Sequence, residues 1–183
     1  MEQNDIFQAL REERNYQLRR WGVRQPDQTM AEQPHSVAEF VIFMRDYYNT
    51  AAHAFARAPS WRESLIALRK LVALAMACVE QGDSYNGRSI SDDDLFETIR
   101  LTGRLVPVRF HGTKIQTDFG TYMLKINQEL SDAEVKLAAM NPDAALVIVK
   151  DIILIGVECF KMYGVPYRDW HGNLTNMRDG LPA

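Results

Sequence analysis

Apolar side chains recur at helical spacing along most of this chain. From Phe40 to Ala51, and again from Ile148 to Cys159, they return every three or four residues, the period of one helix face. No two neighbouring stretches alternate between apolar and polar residues as paired strands do. The pattern therefore predicts an all-α fold.

Capping residues and glycines set the expected helix ends. Capping patterns stand at Ser36 with Glu39, Ser60 with Glu63, Ser91 with Asp94, and Asn141 before Pro142. Glycines follow the helical patterns at Gly22, Gly82, Gly103 and Gly164. We predict helices over residues 4–20, 37–57, 61–81, 92–102, 118–139 and 142–163.

Two parts of the chain share one outline. Residues 36–82 and 118–164 each contain a long helix, a very short turn and a second long helix that ends at glycine. Cys78 and Cys159 stand 81 residues apart, as do Ser60 and Asn141. We expect one domain over 1–183: a first helix and hairpin (1–82), a connector (83–117), a related second hairpin (118–164) and an irregular tail (165–183). The alternative is that any two antiparallel helix pairs look alike.

Composition narrows the class of protein. The 183 residues are 46% apolar and 25% charged, with a net charge of −3, which gives no basic excess for binding nucleic acid. The N-terminus lacks the apolar core of a signal peptide, and the nine-residue apolar run Leu71–Val79 is too short to span a membrane. We expect a cytoplasmic protein with two buried free thiols and no membrane partner.

Four carboxylates in the second hairpin suggest a cation site. Asp151 shares the apolar stripe of its helix, and Glu158 follows two turns later. Glu129 and Asp132 lie on one face of the preceding helix, which the hairpin turn places opposite Asp151. Such hard oxygen ligands suit Mg²⁺ or Mn²⁺, which would in turn bind a phosphate chain.

Alternative interpretations of these charges stay open. Isolated helix carboxylates are usually solvated, and Asp151 also has a counterpart 81 residues earlier, Lys70, with which it could form a buried ion pair. Lys70 could instead hold a phosphate as a point charge. The basic and aromatic run from Glu13 to Gly22 could stack a nucleotide on Trp21, or be an amphipathic surface helix.

Residues near the N-terminus resemble those of a known protein family. Glu13-Arg14, Gln17 and Arg20-Trp21-Gly22, followed by a helical hairpin, resemble the MazG-like all-α NTP pyrophosphohydrolases. In that family Glu-x-x-Glu and Glu-x-x-Asp on successive helices hold Mg²⁺ for hydrolysis of a nucleoside triphosphate to monophosphate and pyrophosphate. The resemblance implies that Glu129, Asp132 and Asp151 are catalytic metal ligands. If the protein is such a hydrolase, we expect Glu158 to be a further ligand and Lys70 or Arg14 to neutralise phosphate charge.

The sequence also departs from that family. Ile148 stands where the third acid is expected, and the first hairpin has Asp46, Asn49 and Lys70 at its motif positions. Three functions follow as expectations: a divergent Mg²⁺-dependent pyrophosphohydrolase, an inactive pseudoenzyme that binds a nucleotide or a protein partner, and a structural bundle that forms homo-oligomers.

Overall fold

The chain folds into a bundle of helices, described by a computed structural model over residues 3–24, 30–31, 34–57, 61–85, 97, 118–168 and 174–175. The helices of these ranges are α1 (Gln3–Trp21), α2 (Val37–Arg57), α3 (Trp61–Tyr85), α4 (Phe119–Ala138) and α5 (Pro142–Tyr163). The short strands β1 (Val23–Arg24) and β2 (Met30–Ala31) pair antiparallel, as do β3 (Tyr167–Arg168) and β4 (Leu174–Thr175). The predicted all-α class is confirmed.

Local hydrogen bonds explain where these helices begin and end. The capping box at α2 is complete: the Glu39 amide donates to Ser36 Oγ at 3.2 Å, and the Ser36 amide donates to Glu39 Oε2 at 2.7 Å. At α5, Asn141 Oδ1 accepts from the Ala144 amide at 3.0 Å. Gly164 ends α5 with a φ of 83°, a conformation that glycine adopts without a steric penalty.

Helix α3 is the centre of the bundle. Its residues from Leu71 to Val79 are all buried, because α1, α2 and α5 pack around it. Helix α5 approaches it closely at Gly156, where an added Cβ would lie 2.3 Å from Val72 Cγ2. The described core side chains of all five helices belong to one hydrophobic cluster. No helix in the described part of the chain is long and apolar enough to cross a membrane.

The outer helices of the two hairpins are joined by one arginine. Arg45 on α2 donates to Asn127 Oδ1 at 2.6 Å and to Ser131 Oγ at 3.1 Å, and its Nε lies 2.7 Å from Glu134 Oε1. Equivalent helices thus contact each other, α2 with α4 and α3 with α5. A two-fold relation between the hairpins stays a prediction.

Three sequence expectations differ from, or fall outside, this structure. Gly82 does not end α3, which continues to Tyr85; an added Cβ at Gly82 would lie 2.9 Å from the Leu146 methyl groups, so this glycine admits a close approach of α5. The tail was predicted to be irregular but contains the β3–β4 pair. The sequence did not indicate this pair because two-residue strands are too short to show an alternating pattern. The predicted connector helix 92–102 lies outside the described residues apart from Glu97.

The contact between α3 and α5 gives a stability prediction. Gly156→Ala should destabilise the protein by about 1–3 kcal/mol, since the new methyl group overlaps Val72 and the core must shift. Gly120→Ala is the matched control. Its Cβ would meet ordinary contacts of 3.4 Å or more, so its stability should be unchanged or raised by up to about 1 kcal/mol. Urea denaturation measures both; a Gly156→Ala variant as stable as Gly120→Ala would contradict the close approach.

Candidate functional site

A buried ion pair fixes α1 on the central helix. Glu13 and Arg69 are both fully buried, and Arg69 Nε lies 3.3 Å from Glu13 Oε2. Arg69 also donates to the Pro166 carbonyl oxygen, just after α5, and its Nη2 lies 3.8 Å from Glu12. A guanidinium removed from water needs such partners. The pair therefore positions one face of α1 against α3.

A cavity of about 690 Å³ opens between α1, α2 and α3. We call it the first-hairpin cavity. Its aromatic walls are Trp21, Phe40, Phe43 and Tyr47, and its aliphatic walls are Leu18, Ile42, Leu74 and Ala77. Its polar lining is Arg14, Gln17, His35, Asp46 and Gln81, and Gly22 completes it. Mostly apolar walls with a few polar groups are typical of small-molecule sites of this volume.

The polar groups of the first-hairpin cavity are held by defined contacts. Arg14 Nη2 lies 2.6 Å from Glu80 Oε2, and both side chains are largely buried. Gln17 Nε2 donates to the Lys70 carbonyl oxygen at 3.3 Å. The His35 amide donates to Gln81 Oε1 at 2.9 Å. These contacts hold the side chains of Arg14, Gln17 and Gln81 in defined positions.

Aromatic rings at one end of the cavity support each other. The His35 ring stands edge-on to Phe40 and Phe43, with centroid distances of 5.6 and 5.3 Å. The Arg20 guanidinium lies 5.8 Å from the ring centroid of Trp21, another wall residue, which is half exposed. Such rings offer flat apolar faces on which an aromatic ligand can stack.

The predicted acidic residues lie in the second hairpin and do not line this cavity. Burial raises the pKa of Glu129, and the charges of Asp151 and Asp132 raise it further. Burial also raises the pKa of Asp151. Asp132 is exposed and accepts from Gln128 Nε2, at 3.2 Å to each of its oxygens. Asp132 and Asp151 are thus close enough to Glu129 to act on it electrostatically, as the hairpin geometry predicts.

The wider ligand set is less complete. Glu158 forms an ion pair with Lys161, one turn along α5. Among the residues that the structure describes, no group of three His, Cys, Asp or Glu side chains is arranged as a metal site. The metal site of Glu129, Asp132, Asp151 and Glu158 therefore stays a prediction.

Lys70 does not pair with Asp151. Its Nζ lies 5.6 Å from the ring centroid of Tyr47, beside the first-hairpin cavity. The only cause acting on the pKa of Asp151 within the described residues is burial, with no cation to lower it. The buried ion pair suggested by the 81-residue offset is not formed. Of the predicted site residues, Arg14 lines the cavity and Lys70 contacts one of its walls.

Arg69 was not predicted as a site residue, whereas its neighbour Lys70 was. A signal for Arg69 is nevertheless present in the sequence: Leu65, Val72 and Met76 put Arg69 in the middle of an apolar stripe at helical spacing. A charged residue in that position must be buried or break the stripe. The cavity itself had no local signal, because three helices distant in sequence build it.

Comparisons of the chain with models of known protein families, with curated proteins and with solved structures give no match. The resemblance to MazG-like pyrophosphohydrolases therefore stays a prediction from the residues quoted above.

Proposed function

We propose that this protein binds a nucleoside or nucleotide, with the base in the first-hairpin cavity. The single observation that supports this most is the cavity's composition: four aromatic side chains surround it together with amide, imidazole and carboxylate groups. Stacking of a base on aromatic side chains contributes about 1–3 kcal/mol per base. The few polar groups supply the hydrogen bonds that fix its orientation.

The position of the family-like opening supports the same ligand class. Arg14, Gln17, Trp21 and Gly22 all line the cavity, and Glu13 anchors the helix that presents them. The residues that resemble a nucleotide-hydrolysing family thus lie around one potential binding site. The acids that would perform hydrolysis lie outside its lining, which favours binding without chemistry over an enzyme that binds and hydrolyses its ligand in this cavity.

Removing a stacking surface should weaken this binding. We expect one or more of adenosine, guanosine, cytidine, uridine and their phosphates to raise the melting temperature without Mg²⁺, because a ligand that binds the folded state stabilises it. Trp21→Ala should lower the affinity for that ligand by about 1–3 kcal/mol, roughly 5- to 150-fold. Isothermal titration calorimetry gives the affinities.

Leu124→Ala is the control for this experiment, since Leu124 is 69% exposed on α4 and does not line the cavity. It should leave the affinity unchanged. The proposal fails if no nucleoside or nucleotide binds the unmodified protein. It also fails if Trp21→Ala binds as tightly as the control variant.

A second candidate function is Mg²⁺-dependent hydrolysis of a nucleoside triphosphate by Glu129, Asp132 and Asp151, with Mn²⁺ as the alternative metal. The observation that favours it is the effect of the Asp151 charge on Glu129, added to the burial that raises the pKa of both groups. Half-buried carboxylates that repel each other are stabilised by a divalent cation. Glu158 would be an additional ligand only if it left Lys161.

Asp151→Asn tests this candidate. Because the pKa values are raised, the folded state binds protons more readily than the unfolded state. The contribution of these two carboxyl groups to stability therefore falls as the pH rises above their ordinary pKa values, 3.8 for Asp151 and 4.5 for Glu129. Without metal, the variant should therefore match or exceed wild-type stability at pH 7 by up to about 1 kcal/mol. This difference should shrink below pH 4.

Magnesium provides the deciding comparison. If the acids bind the metal, Mg²⁺ should raise the melting temperature of the wild type but not that of Asp151→Asn, and pyrophosphate release should depend on Asp151. Asp143→Asn, at an exposed position in the first turn of α5, is the matched control. An equal Mg²⁺ response in wild type and Asp151→Asn would exclude this candidate.

A further inference from the structure

We infer that the first-hairpin cavity selects an uncharged nucleoside over its phosphorylated forms, and that Gln17 Oε1 accepts a hydrogen bond from an N–H group of the base. This rests on the proposed function and specifies its ligand. Two independent observations lead to it: an unsatisfied buried acceptor, and the neutralised charge of the cavity lining.

Gln17 supplies the acceptor. Its side chain is only 4% exposed, and its Nε2 donates to the Lys70 carbonyl oxygen at 3.3 Å. Because a carbonyl oxygen can only accept, this bond fixes which end of the amide is the oxygen. In the described part of the chain, Gln17 Oε1 has no hydrogen-bond partner. A buried acceptor left without a partner is unfavourable, so a ligand that brings a donor is selected.

His35 offers a second polar contact. Its Nδ1 is buried and has no hydrogen bond within the described ranges; the nearest carboxylate oxygen, Glu39 Oε1, is 3.7 Å away. The edge-on contacts with Phe40 and Phe43 hold the ring in place. Neutral imidazole donates or accepts according to its tautomer, so His35 can pair with a hydroxyl or a ring nitrogen. Nucleosides combine such groups with a stacking surface.

The charges of the lining disfavour a phosphate chain. Arg14 is the cation of the lining, and it lies 2.6 Å from Glu80 with both side chains more than four-fifths buried. A phosphate that approached Arg14 would compete with Glu80 and leave two anions close together. Asp46 adds a carboxylate to the wall. Arg20, on the rim beside Trp21, is exposed and its charge is screened by water.

Titration calorimetry of the full chain tests this selection. The probes are adenosine, guanosine, cytidine and uridine and the four corresponding triphosphates, in low salt with a chelator to remove divalent cations. At least one nucleoside should bind, and its triphosphate should bind at least about tenfold more weakly because like charges repel at low ionic strength. Gln17→Met should weaken binding of that nucleoside about tenfold, as expected for a lost hydrogen bond of about 1.4 kcal/mol.

Two further variants keep the test decisive. Gln8→Met makes the same change at an exposed position of α1 and should bind as the wild type does. Glu80→Gln removes the carboxylate that neutralises Arg14. It should therefore reduce the ratio between the affinities for the nucleoside and for its triphosphate about tenfold. This variant tests the charge argument even if Gln17→Met does not fold.

The outcomes separate this inference from the proposed function. A triphosphate that binds tenfold more tightly than its nucleoside overturns the selection and leaves nucleotide binding intact. Nucleoside affinity that is equal in folded Gln17→Met and Gln8→Met overturns the role of Gln17. A selectivity that Glu80→Gln leaves unchanged overturns the charge argument. Binding of none of the eight probes overturns the proposed function, and this inference with it.

Discussion

The ion pair between Glu13 and Arg69 is the contact on which the rest of the site depends. Both side chains are fully buried, 3.3 Å apart, where a lone charge would be strongly unfavourable. Arg69 lies on α3, the helix that α1, α2 and α5 surround, and also holds the Pro166 carbonyl oxygen. The position and rotation of α1 are therefore set by a polar interaction in the core, in addition to the burial of Ile6 and Leu10.

This rotation determines the binding cavity. Gln17 and Trp21 follow Glu13 at intervals of four residues, so the three share one face of α1. The residue that anchors the helix and the two residues that line the cavity thus lie on successive turns of one helix face. Arg14, next to the anchor, reaches Glu80 further along α3. Helix α1 closes a cavity whose other walls come from the first hairpin, and one of its lining residues is Gln17, whose buried amide oxygen has no hydrogen-bond partner in the described part of the chain.

Structural features that depend on neighbouring residues, such as helix ends, could be predicted from the sequence. The bounds of α2 and α5 agree with their predicted ranges, because Ser36 with Glu39, and Asn141, cap them locally. Gly82 misled the prediction, since glycine has a second use in permitting close helix packing. The proximity of Glu129 and Asp151 followed from the short hairpin turn.

Contacts between distant parts of the chain, such as ion pairs in the core and the walls of the cavity, could not be predicted in this way. The partner of Arg69 is 56 residues away, and the cavity needs three helices whose relative rotation no local pattern encodes. The offset between Lys70 and Asp151 suggested a pair that the packing of Lys70 on Tyr47 does not form. Sequence spacing thus identified faces of helices correctly and failed where two faces had to be matched across the core.

Hydrogen–deuterium exchange of α1 in Glu13→Gln and Glu12→Gln tests the central claim most directly. Both variants make the same chemical change, but Glu12 is 42% exposed and lies 3.8 Å from Arg69, whereas Glu13 is buried against it. Breaking a buried pair costs about 3–5 kcal/mol, so amides of residues 4–20 should exchange at least about a hundredfold faster in Glu13→Gln. In Glu12→Gln, these amides should keep their wild-type protection. Equal protection of α1 in both variants would contradict the account.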